Sequence, residues 1–333
     1  MVNIGVIGYG YWGPNIVRNF NGAEGARVVS ICDKSQAALN RAAKTYPGID
    51  ITREYLEILT SKNIDAAAII TPVSTHFALA RTALENGKNI FVEKPFTATA
   101  AQADELIDLA EKKGLKIMVD HTFIFTDAVR KIKDITDENK LGALYYYDST
   151  RVNLGLFQND VNVIWDLAPH DFAIMDYLVK EKPSAVSASG KAHVNGREDT
   201  AYVTVYFTNN MIAHFNVNWL SPVKLRTVLI GGEKRMLVWN DLEADEKIKI
   251  YDKGVDVATK EGIYERLVSY RSGDISVPRI NQVEALKVEA EYFIECINCD
   301  KTPINDGHSG RRVVKLLEAC DQSLKQNGAM VNI

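Results

Sequence analysis

The stretch "GVIGYGYWGPNIVRNF", residues 5–20, decides the fold of the first part of the chain. Three glycines, Gly8, Gly10 and Gly13, follow a short apolar run and precede a helix-like segment. In a strand-turn-helix unit the first glycine permits a tight turn, the second lets the backbone approach a pyrophosphate, and the third lets the helix pack on the strand. Pro14 suits the first helical turn, where no amide donor is missed. The pattern predicts a dinucleotide-binding turn.

Such a turn requires an acidic partner about 20 residues later, at the end of the second strand. Asp33, at the end of "ARVVSICD", occupies that position. Its carboxylate can accept hydrogen bonds from ribose hydroxyls and would repel a 2'-phosphate, so NAD is favoured over NADP, although Lys34 beside it softens the preference. The predicted cofactor contacts here are Gly8, Tyr9, Gly10, Tyr11, Trp12, Gly13, Asp33 and Lys34.

The rest of the chain divides into two patterns. Over the first 120 residues, short apolar runs such as "AAAIITP" and "NIFVEKP" alternate with amphipathic helical stretches, which is typical of a doubly wound parallel sheet. Gly87 and Gly114 are predicted to end two of these helices. After residue 140, alternating polar and apolar residues predict a large antiparallel sheet with one covered face, interrupted by one helix near 166–180. We expect a dinucleotide-binding domain at 1–120 and a second, α+β domain at 121–333.

Two late regions complete this organisation. Residues 253–280 are predicted to be a long loop that serves as a lid, an assembly arm or a disordered segment. Two helices then close the chain. The stretch "AEYFIECINCD" contains Cys296 and Cys299, two of the four cysteines, and their spacing suggests a zinc or redox site. Because no second cysteine pair or histidine cluster accompanies it, we predict two buried or half-buried thiols and no metal.

Composition excludes several classes of partner. The 333 residues are 46% hydrophobic and carry a formal charge of -4, with no basic stripe of the kind that phosphate backbones require. No run of about 18 apolar residues occurs, and no leader pattern opens the sequence. We therefore expect a cytoplasmic protein that binds neither nucleic acid nor membrane.

Two further stretches carry the groups that chemistry needs. "VEKP", residues 92–95, places Glu93 and Lys94 beyond the end of a predicted strand, where open parallel sheets bind ligands. In "WDLAPHD", residues 165–171, Asp166 and His170 share one helical face, and Pro169 requires that the helix has just begun. Each group also has a structural interpretation, since lysines at strand ends are usually solvated and an aspartate that opens a helix is usually a cap.

Together, "GVIGYGYWG", "TPVSTHFALARTALENGKNIFVEKP" and the D-x-x-x-H of "WDLAPHD" resemble the Gfo/Idh/MocA family over nearly the whole chain. The resemblance implies a Rossmann domain joined to a domain with a large open antiparallel sheet, and oxidation or reduction of a ring hydroxyl of a sugar or cyclitol with NAD or NADP. It implies that Lys94 is the active-site lysine and that Asp166 and His170 take the substrate-binding and acid/base positions. It also places Thr71, Pro72, His76, Glu93 and Lys94 beside the cofactor, and implies a homodimer or homotetramer.

The stretches "STRVNLGLFQNDVNVIWDLAPHD" and "GDISVPRI" resemble a subgroup of the family that oxidises the 3-hydroxyl of UDP-N-acetylglucosamine or its uronate. That resemblance predicts a nucleotide-sugar substrate, whose pyrophosphate would suit arginine forks such as those of Arg151, Arg266, Arg271 and Arg279. The predicted substrate contacts are Lys94, Arg151, Asn153, Trp165, Asp166, His170 and Arg279. Two alternatives stay open: a dehydrogenase of free sugars or inositols, and a non-catalytic dinucleotide sensor. The glycine usual in the family after "KIMV" is replaced by Asp120.

Overall fold

The structure, a computed structural model, describes every residue except 156, 159 and 259–266, and no side chain over 256–258 or 267–269. The chain forms two compact units, Met1–Thr126 with Val283–Lys315, and Asp127–Gln282 with Leu316–Ile333. The predicted division at residue 120 therefore needs correction, because residues 283–315 return to the first unit.

The first unit is built on a six-stranded parallel sheet of order β3-β2-β1-β4-β5-β6. Its strands are β1 (Val2–Ile7), β2 (Ala26–Cys32), β3 (Asp50–Thr52), β4 (Ala66–Ile69), β5 (Asn89–Glu93) and β6 (Ile117–Asp120). Its early helices are α1 (Gly13–Gly22), α2 (Gln36–Thr45), α3 (Tyr55–Leu59), α4 (Val73–Glu85) and α5 (Ala100–Lys113). The predicted doubly wound sheet is confirmed. Because the strand order reverses between β1 and β4, a ligand crevice is expected at their carboxyl ends.

The local signals behind these elements act as predicted. All four residues of β4 are buried, as in a parallel strand covered on both faces. Gly114 ends α5 in a left-handed conformation with φ of 66°, and Gly87 does the same just after α4 with φ of 74°. The sequence analysis missed β3 and α3, which are only three and five residues long.

The second unit is built on a nine-stranded sheet of order β14-β13-β12-β11-β7-β10-β9-β8-β15. Its strands are β7 (Leu144–Leu154), β8 (Pro183–Lys191), β9 (Thr200–Phe207), β10 (Ile212–Asn218), β11 (Leu220–Gly232), β12 (Met236–Asn240), β13 (Ile248–Ala258), β14 (Leu267–Ser276) and β15 (Val331–Asn332). Its helices α6 (Asp127–Asp137) and α7 (Val163–Leu178) precede β7 and β8, respectively.

Two predictions for this sheet were wrong. The sheet is mixed rather than purely antiparallel, because β10 runs parallel to β7 while it pairs antiparallel with β9. The stretch predicted to be a loop, residues 253–280, instead contributes to the antiparallel pair β13 and β14, and only its part at 259–266 lies outside the described residues. Polar and apolar residues alternate within this stretch, so its strand signal was present but overlooked.

The remaining helices are α8 (Ala285–Asn298) and α9 (Gly307–Lys325). In the first unit, Phe293 of α8 packs edge-on against Phe20 of α1 at 6.0 Å and Phe91 of β5 at 5.7 Å between ring centroids. All three rings are at most 1% exposed. This aromatic cluster makes α8 part of the core of the first unit. Within the described residues, no helix is both long and apolar enough to cross a membrane.

Candidate active site

The glycine turn after β1 has the geometry of a phosphate cradle. Gly8 has φ of +103°, and an added Cβ there would lie 2.1 Å from the carbonyl oxygen of Ile70. An added Cβ at Gly13 would lie 2.5 Å from the carbonyl oxygen of Gly8, so helix and turn are in direct contact. At Gly10, by contrast, a Cβ would meet no described atom within 4 Å. The turn is therefore tight at both ends and open in the middle, directly before the amino terminus of α1, where anions bind.

Asp33 lies beside this turn. Its Oδ2 accepts a hydrogen bond from the amide of Tyr9 at 2.6 Å, and its Oδ1 accepts one from the amide of Ser35 at 2.7 Å. The carboxylate is thus fixed at the end of β2, where a ribose would lie. The Tyr9 side chain is buried, so Tyr9 offers the cofactor only its backbone, whereas Tyr11 is 90% exposed. Lys34 is also exposed. These residues fit NAD: an open cradle and a helix terminus for the pyrophosphate, and a carboxylate for the ribose.

The predicted contact of His76 with the cofactor was wrong. The His76 side chain is fully buried, and its Nδ1 lies 2.9 Å from the carbonyl oxygen of Pro95 and its Nε2 2.7 Å from that of Thr71. His76 therefore joins the segment after β4 to the segment after β5. Burial lowers the pKa of His76, although the carbonyl oxygens that it faces act in the opposite direction. Thr71 and Pro72 remain in the segment after β4, where Thr71 Oγ1 and Thr75 Oγ1 are 2.7 Å apart.

The end of β5 carries Glu93 and Lys94, both partly exposed. Burial of the carboxyl group and the neighbouring Asp120 raise the pKa of Glu93 well above its usual range. Asp120, the residue that departs from the family pattern, ends β6 and is 1% exposed. Its Oδ2 accepts a hydrogen bond from Nε1 of Trp12 at 2.9 Å. A side chain of the glycine turn is thus held at the end of the strand next to that of Lys94.

In the second unit, Asp166 and His170 lie one turn apart on α7, as predicted. Nε1 of Trp219 donates a hydrogen bond to Oδ2 of Asp166 at 3.0 Å, and the Nδ1 atom of His170 is buried. The predicted helix start was wrong: α7 begins at Val163, with Asn162 as its cap, so Pro169 lies inside the helix. A proline there removes one backbone hydrogen bond, and the Pro169 ring is buried. Trp219, 53 residues from Asp166 in sequence, gave no signal that could have paired the two.

Two predicted substrate contacts have structural roles instead. Arg151 is 4% exposed, and its Nε and Nη2 donate to the two oxygens of Asp171 at 2.7 and 3.0 Å. The fork of Arg151 is therefore already occupied in the core. The indole N–H of Trp165 donates to Asp321 of α9 at 2.9 Å, and the side chain is 9% exposed.

The other predicted substrate contacts differ in exposure. Asn153 is partly exposed near the end of β7, and Arg279 is exposed. Nε of Arg271 donates to Asp252 Oδ1 of β13 at 3.0 Å, so this guanidinium pairs within the sheet. Arg266 lies outside the described residues.

The cysteines provide no metal site in the described part of the chain, where no group of three or more histidine, cysteine or acidic side chains could hold an ion. Cys296 is buried as predicted, but Cys299 is exposed just after the end of α8, which corrects the prediction for that thiol.

Comparison with known proteins agrees with this geometry. A family model described as an oxidoreductase family with an NAD-binding Rossmann fold matches residues 2–121, and a model of the Gfo/Idh/MocA C-terminal domain matches residues 129–238. The UDP-N-acetylglucosamine 3-dehydrogenase of Acidithiobacillus ferrooxidans is 26% identical over 93% of each chain. The scyllo-inositol 2-dehydrogenase (NAD(+)) of Bacillus subtilis is 24% identical over 91% of this chain and 87% of its own.

Solved structures share the fold. The Acidithiobacillus ferrooxidans enzyme superposes with a TM-score of 0.80 at 24% identity over 98% of both chains. Levoglucosan dehydrogenase, solved with NADH and L-sorbose, superposes with a TM-score of 0.84 at 18% identity over 100% of this chain and 99% of its own. With both family models matched and a glycine turn that fits NAD, this chain is a member of the Gfo/Idh/MocA family, an NAD-binding oxidoreductase of the type that acts on CH–OH groups.

Proposed function

We propose that the chain oxidises the 3-hydroxyl of UDP-N-acetylglucosamine, or of its uronate, to the 3-keto sugar with NAD as oxidant. The observation that carries the substrate is the similarity to a UDP-N-acetylglucosamine 3-dehydrogenase along nearly the full length of both chains. Retention of Lys94, Asp166 and His170 favours an enzyme over a dinucleotide sensor, since a sensor needs none of the three for binding.

Each residue of the proposed site has its own chemical role. Bound NAD supplies the hydride acceptor. Loss of hydride from a carbinol carbon requires loss of the hydroxyl proton, and we assign its acceptance to Nε2 of His170, because Nδ1 is buried. Lys94, as a cation, stabilises alkoxide character on the reacting oxygen. The hydrogen bond from Trp219 fixes the orientation of the Asp166 carboxylate, which we assign to a substrate hydroxyl or to His170.

The second candidate is a dehydrogenase of free sugars or inositols, which the similarity to a scyllo-inositol 2-dehydrogenase favours. The structure also leaves the nucleotide with fewer cations than predicted, because Arg151 is paired in the core. Of the predicted arginines that the structure describes, we assign the exposed Arg279 to the pyrophosphate.

One experiment separates these candidates. Protein and NAD are incubated with UDP-N-acetylglucosamine, its uronate, free N-acetylglucosamine or scyllo-inositol, and NADH formation is followed with the loss of two mass units from each sugar. We expect the UDP-sugars to be oxidised fastest, because binding energy from the remote nucleotide orients the reacting carbon. Faster oxidation of inositol or of the free sugar would reject the nucleotide-sugar substrate. Lys94→Ala protein serves as the inactive control.

We also propose a homodimer or homotetramer that buries the face of the nine-stranded sheet to which Tyr202, Ile212 and Leu229 point. These side chains are 46%, 42% and 39% exposed, and the ring of Tyr202 stacks on that of His214 at 6.3 Å. Broad apolar sheet faces of this kind are usually covered. Light scattering tests the proposal: we expect an oligomer for the parent and a smaller species for Ile212→Lys. A monomeric parent at micromolar concentration would reject it.

A further inference from the structure

A buried carboxyl cluster lies in the first unit, at the carboxyl ends of β5 and β6. Glu93 and Asp120 are direct neighbours across these two strands. Glu289, from α8, is 0% exposed, and its carboxyl group also reaches that of Asp120. Asp120 therefore lies between two glutamates, of which Glu289 is buried and Glu93 is partly exposed, and three adjacent negative charges would repel one another.

The hydrogen-bond donors around the cluster point to Asp120. Its Oδ2 accepts from the indole N–H of Trp12 at 2.9 Å, and its Oδ1 accepts from the hydroxyl of Thr122. Glu289 has one oxygen, Oε1, that accepts from Nδ2 of Asn305 at 2.9 Å. The other oxygen, Oε2, is buried and receives no hydrogen bond from a donor among the described residues.

The lack of a donor to Oε2 of Glu289 is explained if this oxygen carries a proton. Two carboxylates offer only acceptors to one another, whereas a carboxylic acid donates to a carboxylate. Burial and the adjacent Asp120 raise the pKa of Glu289 well above its usual range, as they do for Glu93. Protonated Glu93 and Glu289 would each be a donor to Asp120, which also accepts from Trp12 and Thr122.

We propose that Asp120 is a positioning residue that holds the single negative charge of this cluster, keeps Glu93 as a neutral acid beside Lys94, and joins the glycine turn to the end of β5 through Trp12. The charged and titratable groups that face Glu93 are Asp120, Lys94 and Glu289. A charged Glu93 would be a counter-ion next to Lys94. With Glu93 neutral, its carboxyl group does not offset the positive charge of Lys94.

The consequence for catalysis rests on the proposed function, in which Lys94 acts as a cation. The exchange Asp120→Asn keeps the shape of the side chain but removes the charge that opposes ionisation of Glu93, and gives Glu93 an N–H donor. Glu93 is then free to ionise and to pair with Lys94. We expect turnover to fall about tenfold or more, which corresponds to about one pKa unit of lost electrostatic stabilisation.

A double variant separates this effect from a general structural defect. In a Glu93→Gln background residue 93 cannot ionise, so we expect Asp120→Asn to change turnover by less than about twofold there. An equal loss in both backgrounds would overturn the proposal. Trp12→Phe tests the other connection: loss of the indole N–H is expected to raise KM for NAD more than it lowers kcat. A Trp12→Phe protein with parental KM would remove Trp12 from the proposal.

Glu289→Gln is the matched control, because its amide donates to Asp120 as the acid does and accepts from Asn305. We expect turnover within about twofold of the parent, since the hydrogen-bond pattern is unchanged. A tenfold loss would place the negative charge on Glu289 and overturn the assignment to Asp120.

A readout without turnover distinguishes failure of this proposal from failure of the proposed function. Carbon-13 resonances of the Glu93 and Glu289 carboxyls, assigned with the two glutamine variants, are recorded at pH 7 in the full-length protein. We expect protonated carboxyls in the parent and an ionised Glu93 in Asp120→Asn. An ionised Glu93 in the parent overturns the cluster assignment whatever the substrate. The expected resonances in a protein that oxidises no UDP-sugar would instead reject only the substrate.

Discussion

The buried imidazole of His76 offers a prediction whose magnitude follows from its contacts. His76→Leu fills a similar volume but leaves the carbonyl oxygens of Thr71 and Pro95 buried without their partner. A neutral imidazole carries one N–H and donates to one of the two carbonyl oxygens, and one orphaned acceptor costs about 1–3 kcal/mol, so we expect the free energy of unfolding to fall by about 1–3 kcal/mol. Affinity for NAD is expected to fall as well. One of the two segments that His76 joins leads into α4, and the other carries Lys94.

Calorimetry measures the effect on stability. For a domain of 150–250 residues, 1 kcal/mol shifts Tm by about 2–4 °C, so the first unit of His76→Leu is expected to melt roughly 2–12 °C lower. His308→Leu is the matched control in the same unit, because the His308 side chain is 55% exposed and its Nε2 lies 3.0 Å from Oε1 of the exposed Glu111. An exposed pair of this kind contributes about 0.5 kcal/mol or less.

The same variant has a pH signature. Burial lowers the pKa of His76 below its usual 6.5, so as the pH falls the unfolded chain binds a proton before the folded one does. The contribution of the neutral His76 is fully present above pH 6.5 and is lost as the pH falls from 6.5 to the lower folded pKa. His76→Leu is expected to lack this loss. A variant that melts within 2 °C of the parent, with the same pH dependence, would refute the role of His76 as a link between the two segments.

Three further predictions concern the site and the core. Asp33→Ala is expected to weaken NAD binding and to relax discrimination against NADP, measured as the two dissociation constants; unchanged values for both cofactors would make Asp33 an ordinary turn residue. His170→Ala is expected to lower turnover by about 10²–10⁴-fold with little change in NAD affinity, the usual range for a lost general base, and near-parental turnover would return His170 to a structural role. Arg151→Met leaves Asp171 buried and unpaired, so unfolding in urea is expected to show a loss of about 3–5 kcal/mol; weaker binding of UDP-sugars at parental stability would restore Arg151 as a substrate contact.

The first unit could be predicted because its signals are local. The signals for the glycine turn all lie within about 30 residues: the apolar run before Gly8, the glycine spacing and Asp33. Backbone sterics then allow few other conformations for the turn. Gly114 is a further example, since a positive φ at a helix end favours glycine wherever it occurs. The short α3 has too few residues for a periodic pattern, which is why it was missed.

The errors in the second unit come from contacts that are distant in sequence. Nothing near β10 indicates that it will lie parallel to β7, because the choice of neighbour depends on how the intervening segment crosses the sheet. The sequence does not show whether an arginine side chain faces solvent or a buried carboxylate. The buried Arg151 could therefore not be distinguished from the exposed Arg279. Pro169 was interpreted by the local rule for helices, which tertiary packing of α7 overrides.

The aromatic cluster of the first unit has a consequence for the order in which the chain folds during synthesis. Phe20 and Phe91 emerge from the ribosome early, but Phe293, which packs on both, is made only after every strand from β7 to β14 has been translated. Domains near the amino terminus generally fold as they are made. Here the nascent first unit keeps an apolar surface uncovered throughout translation of the second, and it reaches its final core only when α8 arrives. Truncation before residue 283 therefore removes part of the amino-terminal core, not merely a tail.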